Sequence, residues 1–238
     1  MPTHFSPEAI KFLRGLGRHN DREWFEPRKP VYEKELKTPM LALIDEITHA
    51  MAEFAPEHMR PANKVMMRIY RDTRFSKDKK PYKTQVAAWW ARRGMEKTSG
   101  GGYYFHVRPE GIVVAAGVYM PEREQLLAVR EWMAEHHEEY RALLKGALKG
   151  RSGMTGIEAN LMTRLPKGYA ADHPADELLR SRNWGVRAEL PAELALKPAL
   201  GREIVKKFKA AAPVIDALNE AILRQQKRPG LNTAWPMF

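Results

Sequence analysis

The chain has 238 residues, 44% hydrophobic and 9% aromatic, enough for one large domain or two small ones with a real core. It contains no cysteine, which excludes a disulfide framework, thiolate chemistry and a cysteine-ligated metal. A net charge of +11 points towards anionic partners, and its location matters more than its size.

The residues up to Glu8 show neither the basic n-region nor the apolar h-region of a signal peptide, and no apolar run approaches the ~20 residues that span a bilayer. The expectation is a soluble cytoplasmic protein with no membrane partner. Ser6-Pro7 reads as an N-cap followed by proline at the first helical position. Phe5 and Ile10 are placed for a hydrophobic staple, Leu13 and Leu16 extend the buried face, and Gly17 ends the helix. Asn20 to Glu23 is a second capping signal, opening a short helix with Trp24 and Phe25 that Pro27 and Pro30 interrupt. Thr38-Pro39 starts a third helix, with Met40, Ile44, Ile47, Met51 and Phe54 on one stripe.

From Val65 the period changes. Val65 to Tyr70 alternates as a strand, and Gln85 to Ala91, Tyr103 to Arg108 and Ile112 to Tyr119 read as three more. Pro109-Glu110-Gly111 reads as a three-residue hairpin loop with glycine in the left-handed position, and Ser99 to Gly102 ends the longer connection before it. Pro121 opens a long helix carrying Leu126, Val129, Met133 and Tyr140. Residues 146–172 read as connection plus a short segment. Helical patterns return at Ala175 to Arg182 and Arg202 to Ala211, and resume after Pro213. Trp184 to Ala188 reads as one more strand. These elements predict an α+β fold, with an antiparallel meander of four to five strands packed by helices from both ends of the chain. One domain would cover residues 1–228, followed by a tail over 229–238.

The most informative stretch is 68–84, where seven cationic side chains share seventeen positions with Asp72, Asp78, three aromatics and Pro81. Residues 60–83 hold nine basic side chains against two carboxylates, a local +7 that leaves only +4 for the rest of the chain. Arginines 68, 71 and 74 suit two-point contacts to phosphate or carboxylate, and Lys79 and Lys83 add point charges. Asp72, ringed by arginines, is expected to have a lowered pKa and to orient them rather than to take a proton. Phe75 and Tyr82 are aromatics that either stack on bases or anchor the loop in the core. The alternative reading is structural: a salt-bridge network pinning the loop to the helices, with Glu23, Glu33 and Glu35 as partners.

The pattern Arg68-x-x-Arg71-Asp72-x-Arg74-Phe75, followed by Asp78-Lys79-x-Pro81-Tyr82-Lys83, resembles the signature of a widespread bacterial family with fungal members, catalogued as domain of unknown function 2461. Further agreement lies in Phe12-Leu13, Asn20, Glu23-Trp24-Phe25, Lys29 and Tyr32. It continues in Tyr103 to His106, Gly117 through Pro121, Pro166 to Tyr169 and His173-Pro174. The resemblance spans nearly the whole chain. It implies a single α+β domain and no particular reaction or cofactor. Pro30 departs from the family pattern, in a stretch that is usually continuous helix, and predicts a kink.

Other signals are weaker. His106 shares a strand face with Tyr104 and Arg108, and it and Tyr82 are the candidates for proton transfer; for His106 the alternative is a hydrogen-bonded sheet histidine. Gly117 admits either a ligand or a packed helix at the backbone. Gly100-Gly101-Gly102 lacks the Lys-Ser/Thr of a P-loop. His136-His137 are adjacent on a helix and diverge, so they form no metal pair, and no metal site is expected. Trp89-Trp90 puts one indole on each face of a strand. Three functional readings remain open. One is binding of phosphate-bearing ligands, nucleic acid among them, through Arg68, Arg71, Arg74, Lys79 and Lys83. Another is an enzyme acting on a small phosphorylated or carboxylated substrate, and the last is a purely structural loop.

Overall fold

Alternation of buried and exposed residues builds the sheet. The computed structural model describes residues 2–95 and 100–226, so Ser99 and the expected tail over 229–238 lie outside the described residues. Five strands, β1 (Val86–Ala91), β2 (Gly102–Arg108), β3 (Gly111–Val118), β4 (Met154–Gly156) and β5 (Trp184–Leu190), form one antiparallel sheet in the order β1-β2-β3-β5-β4. Val86, Ala88 and Trp90 of β1 are buried on the same face as Tyr103, Phe105 and Val107 of β2, and the set continues through Val114, Ala116 and Val186.

The longer helices are α1 (Pro7–Arg18), α2 (Thr38–Met51), α3 (Arg123–Leu148) and α4 (Leu200–Gln226). α4 lies across the buried face of the sheet, with α2 and α3 packed against it. Its Phe208 ring sits 5.5 Å from Trp90 and 5.0 Å from Tyr103. The Trp90 indole donates to Thr48 Oγ1 at 2.8 Å and ties β1 to α2. The result is a single α+β domain, as the strand and helix patterns predicted.

Several local expectations change. Val65 to Tyr70 is not a strand. Ala62–Val65 form a helical turn, and the extended chain after it meets β1 only at Met66↔Ala88 and through Met67 N–H to Ala87 O. It then turns to a different partner at Tyr70↔Tyr82, so no continuous ladder forms. The β2–β3 hairpin has a two-residue loop, because Arg108 pairs with Gly111. Gly111 is not left-handed; a side chain there would crowd Leu190 O, 3.1 Å from the Cβ position. α1 runs through Gly17 to Arg18. α4 runs unbroken through Pro213, where the sequence suggested a break.

Around Pro30 the chain changes helix type instead of stopping. Glu26–Arg28 is a 3-10 turn, Lys29–Val31 an α turn, and Tyr32–Lys37 a π-helix that merges into α2. Pro27, Pro30 and Pro39 sit in the opening positions of successive segments, where a missing N–H costs least. Tyr32 and Leu36 of the π segment are buried, as are Met40 and Leu43 of α2. The stretch around Pro30 thus passes through three helix types in succession.

Because Phe208 fills the junction between α4 and two strands, Phe208→Ala is expected to destabilise the protein by about 3–5 kcal/mol. A urea or guanidinium titration checks this, and a shift under about 1 kcal/mol would mean that α4 does not anchor the sheet.

Candidate functional site

The basic segment forms an arch whose two limbs pair with each other. Arg71 N–H bonds Pro81 O and Lys83 N–H bonds Ile69 O, both at 2.8 Å. Asn20, just after α1, holds the arch from the side. Its Oδ1 accepts from Tyr82 N at 2.9 Å and its Nδ2 donates to Tyr82 O at 3.0 Å, so the amide acts like one residue of a partner strand. Asn20 therefore does not cap the next helix; Asp21 does, accepting from Trp24 N at 2.7 Å. The Tyr82 ring is buried and stacks on Phe25 with centroids 4.1 Å apart. Phe75, by contrast, is 94% exposed at the tip. One of the two loop aromatics anchors in the core and the other faces solvent.

The carboxylates of the arch stay within it. Asp78 binds Arg71 Nη1 at 2.6 Å and accepts from Lys80 N–H at 3.0 Å. Asp72 takes the Nε and Nη2 edge of Arg74 at 3.0 and 2.8 Å. This fork holds the Asp72 carboxyl down at about 2, with Arg68 adding a smaller electrostatic pull. Asp72 is thus ionised and committed to Arg74. Lys79 donates to Thr73 O at 3.0 Å. The helix glutamates do not brace the arch: Glu33 pairs with Lys37, and Glu35 accepts from Ser6 Oγ.

Arg68, Lys77, Lys80 and Lys83 make no ion pair among the described residues. Lys83 is half-buried, and burial together with the nearby Arg68 guanidinium pushes its pKa down. The stem of the arch therefore holds two cations close together and pairs neither with a carboxylate.

A second feature lies on the face of the sheet away from α4, a concavity of about 980 Å³. Trp89, Tyr104, His106, Ala115, Gly117 and Arg187 form its floor, and Met67 and the segment 157–160 line its sides. Trp89 and Trp90 divide between the two faces as the doublet implied. Gln85 Nε2 donates to Tyr104 Oη at 3.2 Å, and that hydroxyl lies 3.0 Å from His106 Nδ1. Burial, then Arg108 and Arg187, push the His106 pKa down to about 4. At neutral pH the ring is uncharged, and the Tyr104 hydroxyl and His106 Nδ1 share one hydrogen bond.

None of the arch cations lines this hollow. His106 is thus not brought together with Arg68, Arg71 or Arg74, and Tyr82 is enclosed by Phe25 and Tyr70. Gly117 lies on the open face of the sheet and not against a helix, and a Cβ there would lie 2.2 Å from Trp184 O, so the residue also permits the close approach of β3 and β5. Sequence reasoning missed Asn20 as a clamp and Arg187 as a floor residue. Arg187 was findable from strand alternation, since it occupies the open-face phase of β5.

Replacing Asn20 by alanine leaves the Tyr82 backbone without partners and is expected to cost about 1–3 kcal/mol. The same variant should be cut faster by trypsin between Arg74 and Lys79; unchanged cleavage would mean that the amide does not hold the arch. A pH dependence follows from His106 and from His58, whose buried ring donates from Nδ1 to Trp90 O and is likewise pushed down to about 4 by burial. Both bind protons less readily folded than unfolded, so their contribution is complete above about pH 6.5 and is lost as pH falls towards 4. Urea midpoints measured across that window should fall, and a flat profile would contradict the assignment.

No match was found among curated proteins or among solved structures. A family model described as Conserved hypothetical protein (DUF2461) matches residues 8–216, which takes in both the arch and the hollow. The chain therefore belongs to that family, as its arginine-aspartate motif had indicated.

Proposed function

We propose that the arch over residues 68–84 is a binding site for phosphate-bearing ligands, nucleic acid among them. The observation that carries this reading is the pair Arg68 and Lys83 at the stem, two neighbouring cations that no described carboxylate pairs. An exposed Arg68 beside a half-buried Lys83 raises the cost of the lysine's charge, and an anion between them relieves it. Arg71, Arg74 and Lys79 add to the same field. Asp72 fixes the Nε and Nη2 edge of Arg74 and leaves Nη1 uncommitted for a second acceptor. The exposed Phe75, with the Arg74 guanidinium 5.6 Å from its ring centroid, favours a ligand with flat faces as well as phosphates.

The reading as an enzyme clamp has less support, because His106 lies in a hollow that the arch cations do not line. The purely structural reading accounts for Asp72, Asp78 and Asn20, but it leaves Arg68 and Lys83 unexplained.

The test is fluorescence anisotropy with a labelled single-stranded oligonucleotide, and inorganic tripolyphosphate as competitor. Binding should weaken steeply with salt, and Arg68→Gln or Lys83→Gln should each lower the salt slope by about one. A protein that binds neither probe at low salt, or a double variant that binds as the parent does, would remove the proposal.

A further inference from the structure

The hollow on the open face of the sheet is independent of the arch, and its construction is specific. Three glycines stand in register across its strands: Gly102 of β2 opposite Gly117 of β3, and Gly117 opposite Gly185 of β5. Each occupies the open-face phase, so a track without side chains crosses the sheet. None of the three tolerates a Cβ. At Gly102 it would meet the Trp89 indole at 2.6 Å, at Gly117 Trp184 O at 2.2 Å, and at Gly185 Ala116 O at 2.2 Å with φ at +149°. Trp89 thus lies down over Gly102, and Ala115 and Gly117 leave a flat floor beside it.

The far wall is built in advance. Ile157 N–H bonds Gly185 O at 3.1 Å, and Asn160 N–H bonds the side chain of Asn183 at 2.7 Å. Asn183 in turn donates to Glu158 O at 2.9 Å. Asn183 is a buried amide with both ends hydrogen-bonded to this segment. At the mouth, Tyr119 and Met120 are 64% and 65% exposed. A flat apolar space of about 980 Å³ with preformed walls has the size and make-up of a small-molecule site.

Charge narrows the ligand. Arg187 is the cation on the floor, Glu158 is an exposed carboxylate on the side wall, and Arg108 lies close enough to act on His106. Arg187 is paired with Glu189, a carboxylate that is 64% exposed, and such exposed pairs are weak enough for a ligand anion to compete. Tyr104 and His106 form an uncharged relay beside it.

We propose that this hollow binds a flat, mainly apolar small molecule carrying one negative group, with its ring system against Trp89 and its anion on Arg187. The test uses the whole chain and two fluorescent probes of similar ring system: anilinonaphthalene sulfonate, with one negative charge, and phenylnaphthylamine, with none. The expected result is one saturable site per chain for the sulfonate and weaker binding of the uncharged probe. Arg187→Gln should weaken the sulfonate roughly tenfold and leave the uncharged probe unchanged. Ala115→Trp places an indole on the floor and should abolish binding of both; Ala159→Trp, on the wall, blocks the hollow independently should the floor variant not fold. A double Arg68→Gln, Lys83→Gln variant should bind both probes as the parent does, which separates this site from the arch. Absence of saturable binding, equal affinity for the two probes, binding that survives both blocking variants, or loss in the arch variant would each overturn the proposal.

Discussion

The packing of α4 against one face of the sheet is the constraint on which the rest depends. Phe208, Ile204, Ile215 and Leu218 are buried against alternate residues of β1, β2, β3 and β5, and α2 and α3 close over the same side. A sheet covered on one face satisfies its core there and leaves the other face to polar and small residues. Trp89, Tyr104, His106 and Arg187 stand on that second face because their neighbours one residue away are needed in the core. The hollow is a consequence of one-sided burial, and its chemistry is set by strand phase.

The arch depends on a different principle. Its own carboxylates satisfy part of its arginines locally, and its limbs pair across Tyr70 and Tyr82. What ties it to the body is neutral: the Asn20 amide on the Tyr82 backbone and the Tyr82 ring on Phe25. The same device recurs at Asn219, whose side chain accepts from Gly101 N at 2.9 Å and donates to Gly101 O at 3.2 Å. In both places an asparagine closes a backbone pair where no strand is available. Anchoring by neutral groups keeps the surplus positive charge of the arch free of the core.

Much of this was legible in the residues. The long apolar stripes, the N-cap at Ser6 and the alternation in β1, β2, β3 and β5 are local patterns, and they place His106 and Arg108 on one face and Phe105 on the other. The low pKa of Asp72 followed from its arginine neighbours alone. The failures share a cause. Val65 to Tyr70 alternates like a strand, yet ladder formation needs a continuous partner, and the chain changes partners halfway. Phe75 and Tyr82 look alike in sequence, and only the position of Phe25 decides which one is buried. Pro213 reads as a break, but packing on both sides of α4 carries the helix through it.

The sequence by itself determined the family, the α+β class, the concentration of charge over residues 60–83 and the internal pairing that an aspartate among arginines must adopt. These depend on neighbours along the chain, within reach of propensity and Coulomb attraction. Only the tertiary structure decided that Arg68 and Lys83 stand together with no ion pair among the described residues, and that the arch and His106 face different spaces. It alone aligned Gly102, Gly117 and Gly185 into one track. Those facts rest on register between strands far apart in sequence, which no local pattern encodes because each glycine is permitted by a different strand's backbone.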